Sequence, residues 1–310
     1  MPLTPYRRLI LLVALITIPI SASSQSVERI VYASVLDRAG HPVTNVAPKD
    51  LIVRENNVDR DVLQVSRAIE LLDIAVLVDT SQDAEAFIHD FRRGLLDFFR
   101  ALSDRHEVAL ISFGQRPKSV VDYTRDSRTL AAGVARIYAQ RGSGAYLMDG
   151  IIETSRSLRT RERPRREVIV ITSERGELSD RNSGDVFGEV QGAGIILDAF
   201  VVVASKQGVS PAFEAATPER ALPASSPDQP ELERALALAA VVKETGGRRE
   251  DLVTAGLLSA KLRELAARLN NQYRVIYEGP PSLTPPASIE IVTTRPDVRV
   301  RVTGIPQNLP

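Results

Sequence analysis

The chain changes character at residues 72–85, which read LDIAVLVDTSQDAE. An apolar run ends at Val78, the polar segment DTSQD follows at residues 79–83, and a helix-like pattern then begins. The apolar run predicts a buried strand, and the turn after it receives two carboxylates and two hydroxyls. Such a turn is a candidate metal site, a helix cap or the remnant of a site.

The alternation of strand and helix that begins here continues to residue 280. Strands are predicted in LLDIAVLVD, HEVALISF, SVVDY, EVIVIT, IILDAFVVV and QYRVIY, and helices over residues 83–102, 127–140, 146–158, 183–191 and 257–270. Near-continuous apolar strands separated by helices indicate a mostly parallel sheet that is covered on both faces. We therefore predict an α/β domain over residues 70–280.

Both flanks of this domain show the alternating pattern of short β-strands. Residues 25–69 contain several such segments, and residues 281–310 predict a β-hairpin that turns at Arg295-Pro296-Asp297. Residues 27–66 and 287–303 are expected to pair in one small antiparallel β module, so that the α/β domain is an insertion into it. Residues 205–229, which are rich in Ala, Pro and Ser, are expected to form a mobile insertion.

The N-terminal residues 1–24 have the pattern of a secretory signal peptide. Two arginines precede an apolar run from Leu9 to Ile20, and small residues follow at 21–24. This run is shorter than the roughly 20 residues of a membrane-spanning helix, although retention as an anchor is the alternative. We expect an exported protein, periplasmic or secreted, with no stable membrane anchor after cleavage.

Composition excludes several classes of protein. The chain has 39 basic and 39 acidic residues, so its formal net charge is zero and no nucleic-acid partner is expected. It has no cysteine, which excludes disulfides and thiolate metal sites. The basic segment RTRERPRRE at residues 159–167 is interpreted as a solvated loop, and a site for an anionic partner is its alternative.

The turn at residues 79–83 is the expected place for chemistry, because ligands of doubly wound sheets bind beyond the carboxyl ends of the strands. Asp79, Ser81 and Asp83 offer the oxygen ligands that Mg²⁺ prefers. The alternative is a helix N-cap. No nucleophile, phosphate-loop or zinc motif is present, so no catalytic residue is assigned. A hydrolase that uses Asp79 and Asp83 is the least favoured alternative.

Several segments together resemble a known family. LDIAVLVDTSQDAE, ISF, GSGAYLMDGI, EVIVITSERGE and NNQYRVIYEGP follow one another in the order of a von Willebrand factor type A domain. The flanking segments resemble the VWFA-related domain of many exported bacterial proteins, the acidobacterial type. The resemblance implies a three-layer, Rossmann-like α/β fold with a central, mostly parallel sheet.

The family's metal-ion-dependent adhesion site uses Asp-x-Ser-x-Ser after the first strand, a threonine in a second loop and an aspartate after the fourth strand. Asp79 and Ser81 match this motif, whereas Asp83, Ala145 and Ser173 stand where the family has serine, threonine and aspartate. The resemblance therefore implies a degenerate site at Asp79, Ser81 and Asp83. Mg²⁺ or Mn²⁺ is expected to bind weakly or not at all, and the turn is interpreted mainly as a helix cap.

The resemblance implies a partner that offers a carboxylate to the metal, a mechanism that the missing ligands remove. We expect an interaction protein that contacts a protein or cell-envelope partner without a metal. The predicted binding face comprises Ala145, Asp149, Ser173 and Glu174, of which Glu174 is expected to be solvated. The alternative is a structural envelope subunit that has no ligand.

Overall fold

The computed structural model describes residues 26–102, 104–163, 165–203, 229–281, 286 and 288–308. The predicted signal peptide (1–24) and residues 205–228 of the predicted mobile insertion lie outside the described residues. Within the described part, no helix has the length and apolar character needed to cross a membrane.

The elements are numbered in chain order over the described residues. The strands are β1 (Val27–Asp37), β2 (Leu51–Glu55), β3 (Val58–Arg60), β4 (Val62–Arg67), β5 (Leu72–Val78), β6 (Glu107–Ser112), β7 (Lys118–Thr124), β8 (Arg165–Ser173), β9 (Ile195–Val202), β10 (Arg249–Leu252), β11 (Gln272–Gly279), β12 (Ile289–Thr293) and β13 (Val298–Asn308). The helices are α1 (Ile88–Ala101), α2 (Ser127–Ala135), α3 (Leu147–Arg159), α4 (Ser183–Ala193), α5 (Gln229–Thr245) and α6 (Leu258–Asn270).

The central sheet has six strands in the order β10-β9-β8-β5-β6-β7. All of its neighbouring strands are parallel except the edge pair β6 and β7. Side chains of α1, α2 and α6 form the core on one face, and those of α3, α4 and α5 form the core on the other. Every residue of β5 and β9 is buried as a result. The predicted three-layer α/β fold is confirmed.

The helix predicted over residues 83–102 is divided in the structure. Its first part, Gln82–Phe87, is a 3₁₀ helix, and α1 begins only at Ile88. The predicted apolar stripe of α1 is present, with Phe91, Leu95 and Phe98 fully buried against the sheet. This stripe positions the turn at residues 79–83, because it fixes where the chain must leave β5 and enter α1.

The two flanks of the chain pair with each other, in two small sheets. One sheet has the order β13-β1-β11-β4 and the other the order β12-β2-β3. Their facing side chains form a separate core that includes Val31, Val53, Val275 and Tyr277. We call these two sheets the β module.

Three C-terminal strands pair differently from what the sequence patterns predict. The segment QYRVIY, assigned to the α/β domain, forms β11 and pairs with β1 from Val27–Gly279 to Ser34–Gln272. The place beside β9 is taken by β10, which leaves β11 free to join the β module. The C-terminal segments do not form a hairpin, because β12 pairs with β2 whereas β13 pairs with β1.

The parallel strands of the central sheet give the domain two chemically distinct ends. We call the end that carries the loops after β5, β6, β8 and β10 the upper edge. The opposite end, where β5, β6 and β8 begin next to the β module, is the lower edge. The candidate residues Asp79 to Asp83, Ala145 and Ser173 all belong to the upper edge.

Candidate functional site

Asp79 lies directly after β5 and is completely buried. One of its carboxylate oxygens, Oδ1, accepts a hydrogen bond from the backbone N–H of Ser81 at 2.8 Å. The other, Oδ2, accepts from the hydroxyls of Thr172 and Ser173 at 3.0 and 2.8 Å and from the backbone N–H of Ser173 at 3.0 Å. Oδ1 thus has one donor and Oδ2 has three, so protein groups donate to both carboxylate oxygens.

These hydrogen bonds fasten the end of β5 to the end of β8. The bond from Ser81 to Asp79 closes an Asx turn, a local structure that aspartate favours. The 3₁₀ helix that follows begins after Ser81 and has no side-chain cap. The interpretation of this turn as mainly a helix cap is therefore wrong, because the carboxylate binds the neighbouring strand instead. The Ser81 hydroxyl is buried and has no hydrogen-bond partner in the described part of the chain.

A buried arginine that the sequence patterns did not reveal supports the end of β8. Arg234 of α5 is only 3% exposed, and its guanidinium donates to the hydroxyl of Thr172 at 2.8 Å and to the carbonyl of Ser173. It also lies 4.0 Å from the carboxylate of Glu177, which is buried as well. Burial raises the pKa of Glu177, although the nearby guanidinium acts in the opposite direction.

Arg234 could have been suspected from the sequence. It is spaced four and seven residues from Leu238 and Val241, both of which are buried. A charged residue on an apolar helix stripe must find a polar partner inside the protein. The spacing thus predicts burial of Arg234, but it does not identify Thr172 or Ser173 as its partners.

Asp83 lies on the other side of the turn and is exposed. Its Oδ2 atom rests against Gly176, where an added Cβ would lie well inside van der Waals contact. Gly176 has a positive φ of 85°, and its carbonyl accepts a hydrogen bond from the backbone N–H of Ala145 at 2.5 Å. The backbone N–H of Leu178 donates to the carbonyl of Ala145 at 2.7 Å. The structure thus brings Asp83 together with the loops that carry Ala145 and Ser173.

Two residues of the predicted binding face are engaged differently from the expectation. Asp149 lies in the first turn of α3, and its carboxylate accepts from Arg181 at 2.7 Å. Glu174 is only 9% exposed, so the expectation that it is solvated is wrong. It lies in the loop after β8, which bonds to Ala145 through Gly176 and Leu178.

The residues present do not fit the metal that the resemblance implies. Three donors occupy Oδ2 of Asp79, Ser173 donates to Asp79 where an acidic ligand would stand, and Ala145 has no side-chain oxygen. No group of three His, Cys, Asp or Glu residues in the described part could hold a metal ion. The unpartnered hydroxyl of Ser81 is the one feature that favours a ligand, and one neutral oxygen does not make a Mg²⁺ site.

The lower edge holds a second set of charged groups. The fully buried carboxylate of Asp73 lies 2.5 Å from Arg161 and 3.0 Å from Arg163, and both arginines also pair with Glu107. Arg165 donates to the backbone carbonyl of Glu70 at 2.6 Å. These arginines belong to the basic segment interpreted as a solvated loop, and that interpretation is wrong for them because buried acceptors hold them.

The described fold and its oxygen-rich upper edge define an α/β domain of the Rossmann-like class. Residues 73–219 match the model of the von Willebrand factor type A domain. This part of the chain, which begins in β5 and extends beyond β9, is a von Willebrand factor type A domain. No curated protein gives a significant sequence match.

Solved structures with a similar arrangement include bacterial proteins. BatB from Bacteroides thetaiotaomicron is 15% identical over 64% of this chain and 100% of that chain, with a TM-score of 0.45. A von Willebrand factor type A protein from Catenulispora acidiphila is 10% identical over 92% and 74%, with a TM-score of 0.46. The vWF domain of the type V pili tip protein Mfa5 from Porphyromonas gingivalis is 10% identical over 66% and 96%, with a TM-score of 0.45. Likenesses at this level do not extend to function.

Proposed function

We propose that the protein is an exported binding protein of the VWFA-related, acidobacterial type. It contacts a protein or cell-envelope partner through the upper edge, and the contact needs no metal ion. The observation that carries this proposal is the distribution of exposed apolar side chains. Four of the seven large ones in the described part lie on loops at the upper edge: Tyr138, Leu178, Val253 and Leu257.

The hydrogen bonds of Asp79 support contact without a metal. Three donors already meet its Oδ2 atom, so a cation at that oxygen would have to displace the bonds that hold β5 to β8. The loops above it are instead fixed by protein contacts. Thr80 accepts from the backbone N–H of Gly114 and of Gln140, at 3.0 and 2.8 Å. A partner would therefore meet a preorganised surface, which lowers the entropic cost of binding.

A hydrolase that uses Asp79 and Asp83 finds little support. Asp79 is fully buried, and none of the hydrogen bonds of the described part joins a histidine to Asp79, Ser81 or Ser173. The arrangement offers no activated nucleophile beside a base. The alternative, a structural envelope subunit that has no ligand, would instead co-purify with other components in a fixed stoichiometry.

The test is capture from an extract of the native cell envelope. The full chain, produced with its own leader, is immobilised and compared with Leu178→Asp, which places a charge on the upper edge. Ile69→Asp is the matched control, because Ile69 is 74% exposed but precedes β5 at the lower edge. We expect a discrete partner to be retained equally with Mg²⁺ and with EDTA, lost with Leu178→Asp and kept with Ile69→Asp.

Equal capture by all three proteins would place the interaction elsewhere and contradict the proposal. Capture that requires Mg²⁺ would show that the metal-dependent mechanism operates. A constant stoichiometric complex that resists Leu178→Asp would favour the structural subunit.

A further inference from the structure

We propose that the partner presents a lysine or arginine side chain to Asp83, next to apolar groups. This inference rests on the proposed function and gives its partner a chemistry. It reverses the polarity of the metal-dependent contact that the resemblance implies, in which the domain supplies a cation and the partner a carboxylate. Here the domain supplies the carboxylate.

The carboxylate of Asp83 is available to a partner. It is exposed, and it takes part in no hydrogen bond or ion pair in the described part of the chain. Two other acidic groups of the upper edge already have cations: Glu85 lies 3.8 Å from Arg141, and Asp149 lies 2.7 Å from Arg181. Asp83 is thus an open acceptor for an arriving cation.

The carboxylate of Asp83 lies against Gly176. The close approach of Asp83 Oδ2 leaves no room for a Cβ, and the positive φ of residue 176 also favours glycine. The loop around Gly176 is in turn bonded to Ala145 from both sides.

Two exposed apolar side chains belong to the loops that meet beside Asp83. Leu178 is 55% exposed and packs over Gly144, and Tyr138 is 64% exposed in the loop whose Gln140 bonds to Thr80. Lysine and arginine carry an apolar stem behind the charged group, and that stem needs apolar contact when it is bound. The tyrosine ring can also attract a cation to its face. These neighbours suit a basic side chain better than a bare metal ion.

The charges below the surface favour the same polarity. Asp79 is satisfied by hydroxyl and backbone N–H groups rather than by a direct ion pair. The positive charge of Arg234 reaches this carboxylate only indirectly, because Arg234 donates to Thr172 and Thr172 donates to Asp79. A cation at Asp83 would gain from this charge, whereas a partner's carboxylate would be repelled.

The test uses a random peptide library displayed on phage, selected against the immobilised full chain in EDTA. Selected peptides are then synthesised and their affinities measured for the wild type and for three variants. Asp83→Asn removes the charge at nearly constant shape, Leu178→Ser removes the apolar contact, and Glu85→Gln is the control. Glu85 suits this role because it lies in the same 3₁₀ helix but already has Arg141 as a partner.

We expect selected peptides to carry lysine or arginine beside leucine or an aromatic residue. Asp83→Asn should weaken their binding about tenfold to a hundredfold, as for the loss of a hydrogen bond to a charged group. Leu178→Ser should weaken it roughly tenfold, and Glu85→Gln should leave it within about twofold. Added salt should weaken binding to the wild type. The melting temperature of Asp83→Asn should equal that of the wild type, which shows that the variant is folded.

The outcomes separate this inference from the proposed function. Acidic peptides selected only when Mg²⁺ replaces EDTA would overturn the inference. Neutral peptides whose binding is lost in Leu178→Ser but not in Asp83→Asn would also overturn it, while leaving an upper-edge binding surface in place. Peptides whose affinity is unchanged in both Asp83→Asn and Leu178→Ser would overturn it too, as would a selection that enriches no peptide. Capture from the envelope extract would then decide the proposed function on its own.

Discussion

The two ends of strand β5 show how differently one protein can bury the same residue type. Asp73 at the lower edge and Asp79 at the upper edge are both fully buried. Asp73 is compensated by the guanidinium groups of Arg161 and Arg163. Asp79 accepts hydrogen bonds from neutral hydroxyl and backbone N–H groups. One of these hydroxyls, that of Thr172, in turn accepts a hydrogen bond from the guanidinium of Arg234.

The buried negative charge at the lower edge is paired within the protein, whereas the negative charge at the upper edge remains available to a partner. At the lower edge the opposite charges meet directly, so the field is largely cancelled. At the upper edge the negative charge is stabilised without being cancelled, and a second, exposed carboxylate stands close by at Asp83. The upper edge is therefore the end at which a charged partner can gain energy.

The largest effect is expected from Arg234→Met. It leaves Glu177 buried without its neighbouring cation and removes donors from Thr172 and Ser173. We expect a loss of about 3–5 kcal/mol in the free energy of unfolding, measured by urea denaturation. Arg156→Met is the matched control, because Arg156 is 55% exposed and pairs with Glu189 on the surface. A loss no larger than the control's would mean that the upper edge does not depend on Arg234.

A smaller loss is expected at the lower edge from Asp73→Asn. The change leaves Arg161 and Arg163 with Glu107 as their remaining carboxylate. Both arginines are about a quarter exposed, at 28% and 26%, so water can replace part of the lost interaction. We expect roughly 2–3 kcal/mol by urea denaturation. An effect near zero would show that the ion pairs of Asp73 do not stabilise the lower edge, which would contradict the difference drawn between the two ends.

Rebuilding the metal site should make the stability of the protein depend on Mg²⁺. In Ser173→Asp with Ala145→Thr, a new carboxylate faces Asp79 where the hydroxyl now donates at 2.8 Å. Without metal, repulsion between the carboxylates should cost about 1–3 kcal/mol. Mg²⁺ should restore the melting temperature and give a binding signal in titration calorimetry.

The wild type should show neither response to Mg²⁺. Ala145→Thr alone controls for overpacking, because Ala145 is fully buried. Tight binding by the wild type that Asp79→Ala abolishes would show that Asp83 and Ser81 complete a working site. Absence of binding by both proteins would mean that the ligand positions are assigned wrongly.

The smallest effect at neutral pH is expected at His106, at the lower edge. Its Nδ1 accepts from the backbone N–H of Leu72, and burial, helped by Arg165 and Arg105, lowers its pKa to about 4. The unfolded chain therefore takes up this proton more readily, and the stability contributed by neutral His106 is complete above about pH 6.5 and lost as the pH falls toward 4. The free energy of unfolding should thus fall less on acidification in His106→Asn.

This experiment must compare the two proteins at each pH. Burial and the nearby Asp198 raise the pKa of Glu167, so that group changes stability in the opposite sense over the same range. Parallel pH profiles for wild type and His106→Asn would show that His106 is not the responsible group.

The sequence predicts the α/β fold because its signals are local. Apolar runs of strand length and the stripe of Phe91, Leu95 and Phe98 each lie within one segment. The position of Asp79 at the upper edge follows from the same signals together with the rule for doubly wound sheets. What local patterns cannot supply is the choice of partner between distant segments. β11 could have joined the central sheet, but β10 takes the place beside β9 and β11 pairs with β1.

The candidate site was predictable in its place but not in its chemistry. The residue types at positions 79, 81, 83, 145 and 173 indicate that metal ligands are missing. They do not indicate that Ser173 turns its hydroxyl toward Asp79, or that Arg234 arrives from a helix about sixty residues later in the chain. Such replacements depend on three-dimensional proximity, which a single sequence does not record.

The pairing of β1 with β13 has a mechanical consequence. Arg29 stands opposite Asn308 and Asp37 opposite Val298. The N-terminal end of β1 and the C-terminal end of β13 therefore lie at the same end of the pair. A force that pulls these ends apart would open the ladder one pair at a time, as a zipper opens, rather than shear all pairs at once. The chain enters and leaves the α/β domain at a neck where the N–H of Ala68 donates to the carbonyl of Gln272 at 2.9 Å. Under such a force the β module would therefore open before the α/β domain, and the upper edge would keep its shape while the module opens.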